Sequence, residues 1–296
     1  MLEAPPGLTQ AHLDAIADLE RQTLAADGGR LKLEWGTLRG RTGDRVEDVL
    51  WWETGRLLGF LGLYSFGQAP VELSGMVHPE ARRRGIATAL LNEALSLCRN
   101  HGHAQALLVT PRASSAARAL AEARGATLDH SEYALLLNAD PPPGESSPRV
   151  ALRSLRTTDR AAVNALLLEA FGHEPAPEAS DGPSSASPPF DSPDGPAPGY
   201  GSQTLVVELD GNLVGTLRVE QEPGTTGVYG FAIAAAHRGQ GIGRDVLRRI
   251  CEQARAKDDS IHLEVAADND RALGLYTSLG FTPVTTEDYW SLPLAP

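Results

Sequence analysis

The stretch Ile233-Ala234-Ala235-Ala236-His237-Arg238-Gly239-Gln240-Gly241-Ile242-Gly243 decides the fold, because a glycine-rich turn here joins a strand pattern to a long amphipathic helix pattern. A similar turn, Arg82-Arg83-Arg84-Gly85-Ile86-Ala87, stands 156 residues earlier, counted from 82 to 238. Tyr133 and Tyr289 repeat the same offset. A series of landmarks at a nearly constant spacing predicts a duplicated domain.

Length and composition agree with two soluble domains. A chain of 296 residues predicts about two domains. The excess of 38 Asp and Glu over 26 Lys and Arg gives a formal net charge of -12, which disfavours binding to nucleic acids and to anionic membranes. Cys98 and Cys251 lie in apolar helical patterns, which predicts buried thiols in a reducing compartment. The first residues lack a secretory signal and no apolar run is long enough for a membrane span, so we expect a cytoplasmic protein.

Proline-rich segments divide the chain. Residues 139–149 contain four prolines and read as a linker, which places one domain at residues 1–138 and the other at 150–296. Residues 173–199 are mostly Pro, Ser, Gly and Ala, and we expect them to form a mobile loop within the second copy. Their composition suggests that this loop covers an acceptor cleft.

Each copy has the coarse order helix, strands, helix, strand, helix, strands. In the second copy the sequence predicts a helix at 159–171, a hairpin around Asp210-Gly211-Asn212, a strand at 228–233 and helices at 241–256 and 269–279. Antiparallel hairpins that lead into a βαβα unit indicate an α+β (mixed α/β) fold, with two tandem domains that each have a mixed central sheet flanked by helices.

The two glycine-rich turns have the chemistry of an anion site. The first N–H groups of a helix have no partner within the helix, and glycine lets a phosphate approach the backbone closely. Three consecutive arginines at a helix N-terminus, Arg82 to Arg84, oppose the helix dipole unless a bound anion offsets them. These turns therefore predict a pyrophosphate site, although solvated arginines beside a purely structural turn would give the same pattern.

The strand, the Arg-x-x-Gly-x-Gly/Ala turn and the following helix resemble the acetyl-CoA motif of the GNAT N-acetyltransferase superfamily, and the tandem layout is similar to that of mycothiol synthases. In that family the turn holds the CoA pyrophosphate and the strand edge pairs with the pantetheine arm. The resemblance implies acetyl-CoA as co-substrate and these cofactor-binding residues: Ala232, Ile233, Arg238, Gly239, Gln240, Gly241, Gly243, Arg244 and Asn269 in the second copy, and Met76, Val77, Arg82, Arg83, Arg84, Gly85 and Ala87 in the first.

A second motif, from Leu263 to Phe281, resembles the family's catalytic segment, including its version in ribosomal-protein N-terminal acetyltransferases. The resemblance implies that Tyr276 protonates the leaving thiolate and that Glu264 is the base. An ammonium acceptor must lose a proton before it attacks a thioester, and a phenol stays protonated at neutral pH. Alternatives remain open: Asp268 or Asn269 as a helix N-cap, Tyr276 as core, Glu264 as a solvated strand face. Glu220 and Glu222 are rival bases.

The first copy keeps the turn but not the catalytic pair. Val109 stands in place of Glu264, Ser114 in place of Asn269, and Ala121 in place of Tyr276. We therefore expect the second copy to catalyse, while the first is structural or holds CoA without turning it over. His101 and His103 have poor spacing for a metal site, so no metal is expected.

The sequence thus predicts an acetyl-CoA-dependent N-acetyltransferase that acts on a primary amine of a small molecule by direct attack. Two alternatives stay open: acetylation of protein N-termini or lysines, and a non-catalytic acyl-CoA-binding sensor or scaffold. The acceptor itself and the oligomeric state are not readable from these motifs.

Overall fold

The computed structural model describes residues 1–41, 43, 45–66, 69–171 and 201–294. The predicted loop at 173–199 lies outside these residues. The chain divides into two compact units: Met1–Glu132 with Val284–Pro296, and Tyr133–Pro283. The mixed α/β fold predicted from the sequence is confirmed in both units.

The first unit follows the predicted order of elements. Its elements are β1 (Leu2–Glu3), α1 (Gln10–Asp27), α2 (Trp35–Arg39), β2 (Asp48–Glu53), β3 (Arg56–Tyr64), β4 (Val71–Val77), α3 (Ile86–Asn100), β5 (Gln105–Pro111), α4 (Ser115–Ala123) and the first half of β6 (Thr127–Leu137). The strand order in this unit is β1-β2-β3-β4-β5-β12, where β12 (Phe281–Pro293) is the last strand of the described chain. One core cluster includes residues of α3 such as Leu90 and Leu91, and another includes Ile16 and Leu19 of α1.

The second unit repeats the plan. Its elements are β7 (Val150–Ser154), α5 (Arg160–Phe171), β8 (Gly201–Leu209), β9 (Asn212–Glu222), β10 (Thr225–Ile233), α6 (Ile242–Arg255), β11 (Ser260–Ala266), α7 (Asp270–Thr277) and the start of β12 (Phe281–Pro293). The strand order is β6-β11-β10-β9-β8-β7. The predicted hairpin is confirmed between β8 and β9, where Asp210 and Gly211 both have positive φ, as a tight two-residue turn requires.

The closing strands are exchanged between the two units, which the sequence did not predict. The sequence assigns residues 284–296 to the second copy, whereas Val284–Pro296 cluster with the first unit. The physical reason is pairing: β12 runs antiparallel to β5 from Glu287↔Pro111 to Pro293↔Gln105. Trp290, Leu292 and Leu294 complete the apolar core beside α3. Conversely, Leu135 and Leu137 of β6 belong to the core of the second unit.

Both cysteines are free and buried, as the sequence predicted. Burial raises the pKa of the Cys98 thiol to about 11 and that of Cys251 to about 12. Both therefore stay as unreactive thiols at neutral pH. Within the described residues, no helix is both long and apolar enough to span a bilayer.

The exchanged strand makes a prediction about stability. Leu292→Ala should lower the free energy of unfolding of the first unit by about 2–5 kcal/mol, because a buried leucine is lost and a cavity remains. The matched control is Val284→Ala on the same strand, where the side chain is 42% exposed and the loss should stay below about 1 kcal/mol. Hydrogen exchange of the α3 and β5 amides measures both. Equal effects of the two variants would contradict the exchange of strands.

Candidate functional site

A cleft of about 580 Å³ lies in the second unit, between the end of β10, the N-terminus of α6 and helix α7. That volume is within the range of small-molecule and cofactor sites. The cleft brings together most of the residues predicted for the second copy: Ala232, Ile233, Arg238, Gly239, Gly241, Gly243, Arg244, Asn269 and Tyr276. Among the described lining residues, Gln240 and Glu264 do not appear.

The turn before α6 is shaped by two glycines in the left-handed conformation. Gly239 has φ 78° and Gly241, the N-cap of α6, has φ 81°. No side chain among the described residues caps this helix, and its first residues, Ile242 to Arg244, line the cleft. A side chain at Gly241 would be strained by its positive φ, and glycine there also leaves the backbone open to close approach. The turn therefore has the geometry of an anion site.

The charge around this turn suits a polyanion. Arg238, Arg244 and Arg271 line the cleft together with His237. Arg238 also connects the turn to neighbouring elements. Its Nε donates to the carbonyl oxygen of Ile233 on β10 at 2.7 Å, and its guanidinium lies 3.9 Å from Glu169 on α5. The Gln240 amide donates back to the Ala236 carbonyl oxygen at 3.3 Å, so its side chain supports the turn.

Strands β10 and β11 separate beside the cleft. Their parallel register runs from Thr225↔Ser260 to Val228↔Leu263, while β10 continues to Ile233 and β11 to Ala266. We call the point beyond Val228 and Leu263 the fork. The register of β10 with β9 shifts between Tyr229 and Ala232, which marks a bulge at this place. The last residues of β10 can therefore offer their backbone groups to an extended ligand.

Asn269 and Tyr276 meet the cleft from α7. The Asn269 side chain accepts a hydrogen bond from the Ala272 N–H at 3.1 Å, so Asn269 is the N-cap as well as a lining residue. The alternative of Asp268 as N-cap is wrong. Tyr276 is only 7% exposed, packs against the Phe281 ring at 6.2 Å, and still lines the cleft. Burial raises the pKa of its phenol to about 12.

Glu264 lies on β11 among residues that alternate in burial. Ile261, Leu263 and Val265 point into the core cluster beneath α6, so Glu264 and His262 lie on the opposite face of the sheet, which we call the open face. The rival carboxylate Glu220 lies on the same face of β9 and pairs with Arg218 at 2.5 Å. No metal-binding cluster occurs among the described residues, His101 and His103 included.

Several lining residues were missed by the sequence analysis. They are Ala170 and Phe171 at the end of α5, Phe231 on β10, His237 and Ile242 at the turn, and Arg271, Ala272, Gly274 and Leu275 on α7. Phe231 alternates with Ile233 along β10, and Leu275 lies beside Tyr276, so both follow from residues already singled out. No motif near Ala170 and Phe171 in the sequence indicates that the end of α5 lines the cleft.

The turn of the first copy has the same backbone but different partners. Gly85 is the N-cap of α3 with φ 81°, as at Gly241. Here, however, Arg82 forms two hydrogen bonds with Asp27 at 2.6 and 2.8 Å, and Arg84 forms two with Glu53 at 2.7 and 2.8 Å. Arg83 has a positive φ of 63°, Met76 is buried, and Val77 pairs with Gly59. Two of the three arginines that were predicted to bind an anion are thus already paired with carboxylates of this chain.

Comparison with known proteins supports these observations. The model of the acetyltransferase (GNAT) family matches residues 17–126 and 169–281. Mycothiol acetyltransferase of Mycobacterium avium is 28% identical over 95% of this chain and 90% of its own length, and that of Kineococcus radiotolerans is 28% identical over 93% and 91%. The N-alpha-acetyltransferase RimI of Mycobacterium tuberculosis is 44% identical over 57 residues, 19% of this chain and 35% of its own length.

Solved structures show the same fold. A GCN5-related N-acetyltransferase from Sphaerobacter thermophilus has a TM-score of 0.75 at 20% identity and covers 100% of this chain and 96% of its own. A tandem GNAT protein from the clavulanic acid biosynthesis pathway has a TM-score of 0.65 at 20% identity, with 100% and 99% coverage.

The raised pKa of Tyr276 has a measurable consequence. Since the phenol has a folded-state pKa of about 12 against about 10 in the unfolded chain, it stays protonated across the neutral range. Its contribution to stability is complete below pH 10 and is lost as the pH rises towards 12. In a spectrophotometric titration, the difference between wild type and Tyr276→Phe should show phenolate only near pH 12. Ionisation near pH 10 would contradict burial of this group.

Proposed function

Because the chain belongs to the acetyltransferase (GNAT) family and is an N-acetyltransferase, we propose that its second unit transfers the acetyl group of acetyl-CoA to a primary amine of a small molecule by direct attack. The observation that carries this proposal is a single cleft with three features. It is lined by the glycine turn before α6, by the end of β10 that is no longer paired with β11, and by the buried phenol of Tyr276. Both binding chemistry and acid chemistry are then available in one place.

The residues present fit acetyl-CoA. Gly239, Gly241 and Gly243, with the first N–H groups of α6 and the guanidinium of Arg244, would hold the pyrophosphate. Ala232 and Ile233, beyond the fork, would pair with the pantetheine arm. Arg271 is a further candidate ligand, since its guanidinium lies 3.7 Å from the position a Cβ of Gly239 would occupy.

Tyr276 is proposed as the acid that protonates the departing thiolate. Its phenol lines the cleft and remains protonated at neutral pH, because burial raises its pKa to about 12. Glu264, on the open face, is proposed to attract the acceptor ammonium. The acidic net charge of -12 favours a cationic acceptor such as a polyamine or an aminoglycoside.

Acetylation of a protein N-terminus is a second candidate. It is favoured by the local similarity of 57 residues to an N-alpha-acetyltransferase. A peptide with a free α-amino group, tested beside small amines, separates the two: the higher kcat/KM identifies the acceptor class. Acetyl-CoA binding without turnover of any amine would instead favour the sensor hypothesis.

The turn glycines provide a matched pair for cofactor binding. Gly241→Ala should weaken acetyl-CoA binding at least tenfold, because alanine is strained at φ 81° and its methyl group obstructs the anion site. Gly85→Ala carries the same strain at the equivalent N-cap of the first copy, where the arginines already hold carboxylates, and should leave affinity unchanged. Calorimetry gives both affinity and stoichiometry, with one site expected. Two sites, one lost in Gly85→Ala, would assign cofactor binding to the first copy as well.

The acid role of Tyr276 predicts a separation of turnover from binding. Tyr276→Phe should lower kcat by about one to three orders of magnitude and leave the acetyl-CoA Kd unchanged, since only the hydroxyl is removed. Tyr133→Phe is the control, because Tyr133 packs against the same core cluster without lining the cleft. Unchanged kcat in Tyr276→Phe would rule out this residue as the acid.

A further inference from the structure

A hydrogen-bonded chain of Thr225, His262 and Tyr229 crosses the open face of the second unit at the fork. The Tyr229 hydroxyl lies 3.0 Å from Nε2 of His262, and the Thr225 hydroxyl lies 3.3 Å from Nδ1. The two rings meet edge to face, with centroids 6.0 Å apart and planes at 81°. His262 is thus held at both ring nitrogens.

The hydrogen bond of Thr225 to Ser260 indicates which groups of this chain donate and which accept. The Thr225 hydroxyl donates to the carbonyl oxygen of Ser260 at 3.3 Å. With its hydrogen on Ser260, the Thr225 oxygen would accept Nδ1–H of His262, and the lone pair of Nε2 would accept the hydroxyl hydrogen of Tyr229. This places an imidazole behind a phenol, in the order of an oriented base and the hydroxyl it activates.

Gly227 makes room for this arrangement. A Cβ at this position would lie 2.6 Å from the Tyr229 ring, 2.9 Å from its hydroxyl oxygen and 3.0 Å from Nε2 of His262. Gly227 is paired with His262 across the strands, so the Tyr229 side chain leans back over the glycine to reach the imidazole. Any larger residue at 227 would separate the two groups.

Tyr229 lies at the fork, next to the cleft but not among its lining residues. It is the first residue of β10 beyond the last pair with β11, and Phe231, two residues on, already lines the cleft. The charged and titratable groups that β9 and β11 place on the same face are Arg218, whose guanidinium lies 4.9 Å from the Tyr229 ring centroid, Glu220 bound to Arg218, Glu222 opposite Thr225, and Glu264. From α5, Leu167 covers Gly230, and the helix's Glu169 binds the Ala235 N–H.

On the basis of the proposed function, we propose that Tyr229 and His262 form the proton relay that deprotonates the acceptor amine, while Glu264 attracts its ammonium form. The ammonium gives one proton to the Tyr229 oxygen as the Tyr229 hydroxyl proton passes to Nε2 of His262. The amine lone pair then forms the C–N bond to the acetyl carbon and the C–S bond breaks. Tyr276 gives its proton to the thiolate sulfur and regains one from the nitrogen, and His262 releases its proton to solvent.

The first test needs no acceptor. In wild-type protein labelled with ¹⁵N-histidine and saturated with acetyl-CoA at pH 8, long-range ¹H–¹⁵N spectra should show His262 as the neutral Nδ1–H tautomer, with its signals assigned by their loss in His262→Gln. Tyr229→Phe should shift the Nε2 resonance, because the hydrogen bond is lost. An Nε2–H tautomer would overturn the relay whether or not any amine is acetylated.

The second test measures turnover with spermidine, tobramycin and a decapeptide with a free N-terminus, by release of the CoA thiol. Tyr229→Phe and His262→Gln should each lower kcat/KM by roughly 10²-fold at pH 7 with an unchanged acetyl-CoA Kd, and the double variant should lose no more than either alone. The loss should shrink as the pH rises, because the amine then deprotonates without help. His103→Gln in the first unit is the control.

The variant Glu264→Gln distinguishes the proposed relay from the alternative in which Glu264 is the base. It should raise KM for the amine with little change in kcat, and it should keep the pH profile of the wild type. If instead Glu264→Gln lowers kcat and removes the acid limb of that profile while His262→Gln does neither, Glu264 is the base and the relay is wrong. Added imidazole should restore part of the activity of His262→Ala, which a purely structural role would not allow.

Discussion

Two glycines in the left-handed conformation, Gly239 and Gly241, turn the chain between the end of β10 and the start of α6. A residue with a Cβ is strained in that conformation, whereas glycine is not. The two glycines therefore allow a short turn that brings the first N–H groups of α6 close to the separated end of β10. The arginines of the turn and of α7 lie around the same cleft, and Tyr276, a member of the core cluster, lines it as well. The anion-binding geometry of the cleft thus depends on this one turn.

The first copy has the same turn without the same surrounding side chains. Its backbone is the same at Gly85, and Ser114 caps α4 as Asn269 caps α7, by accepting from the N–H three residues on. Two of its arginines, Arg82 and Arg84, are however paired with Asp27 and Glu53, and Ala121 is buried in place of the phenol. The two copies share the glycine that caps the helix after the turn, and they differ at the side chains proposed to act on a ligand.

The sequence predicted whatever depends on local conformation. The turns, the Asp210-Gly211 hairpin, and the helix that carries Asn269 and Tyr276 were predictable because glycine, caps and hydrophobic periodicity act over a few residues. Ion pairs such as Arg82 with Asp27, 55 residues apart, and the contact of Tyr229 with His262 over Gly227 were not predictable. They depend on which strands become neighbours and in which register, and an alternating pattern does not encode its partner.

The exchanged strands set an order of events during synthesis. Val109 of β5 pairs with Tyr289 of β12, so the edge of the first sheet is completed only by residues that leave the ribosome 180 positions later. At roughly 5–20 residues per second, that edge stays uncovered for about 10–40 seconds. An uncovered edge is a template for pairing with other chains, so the edge of β5 is protected only after β12 has been synthesised.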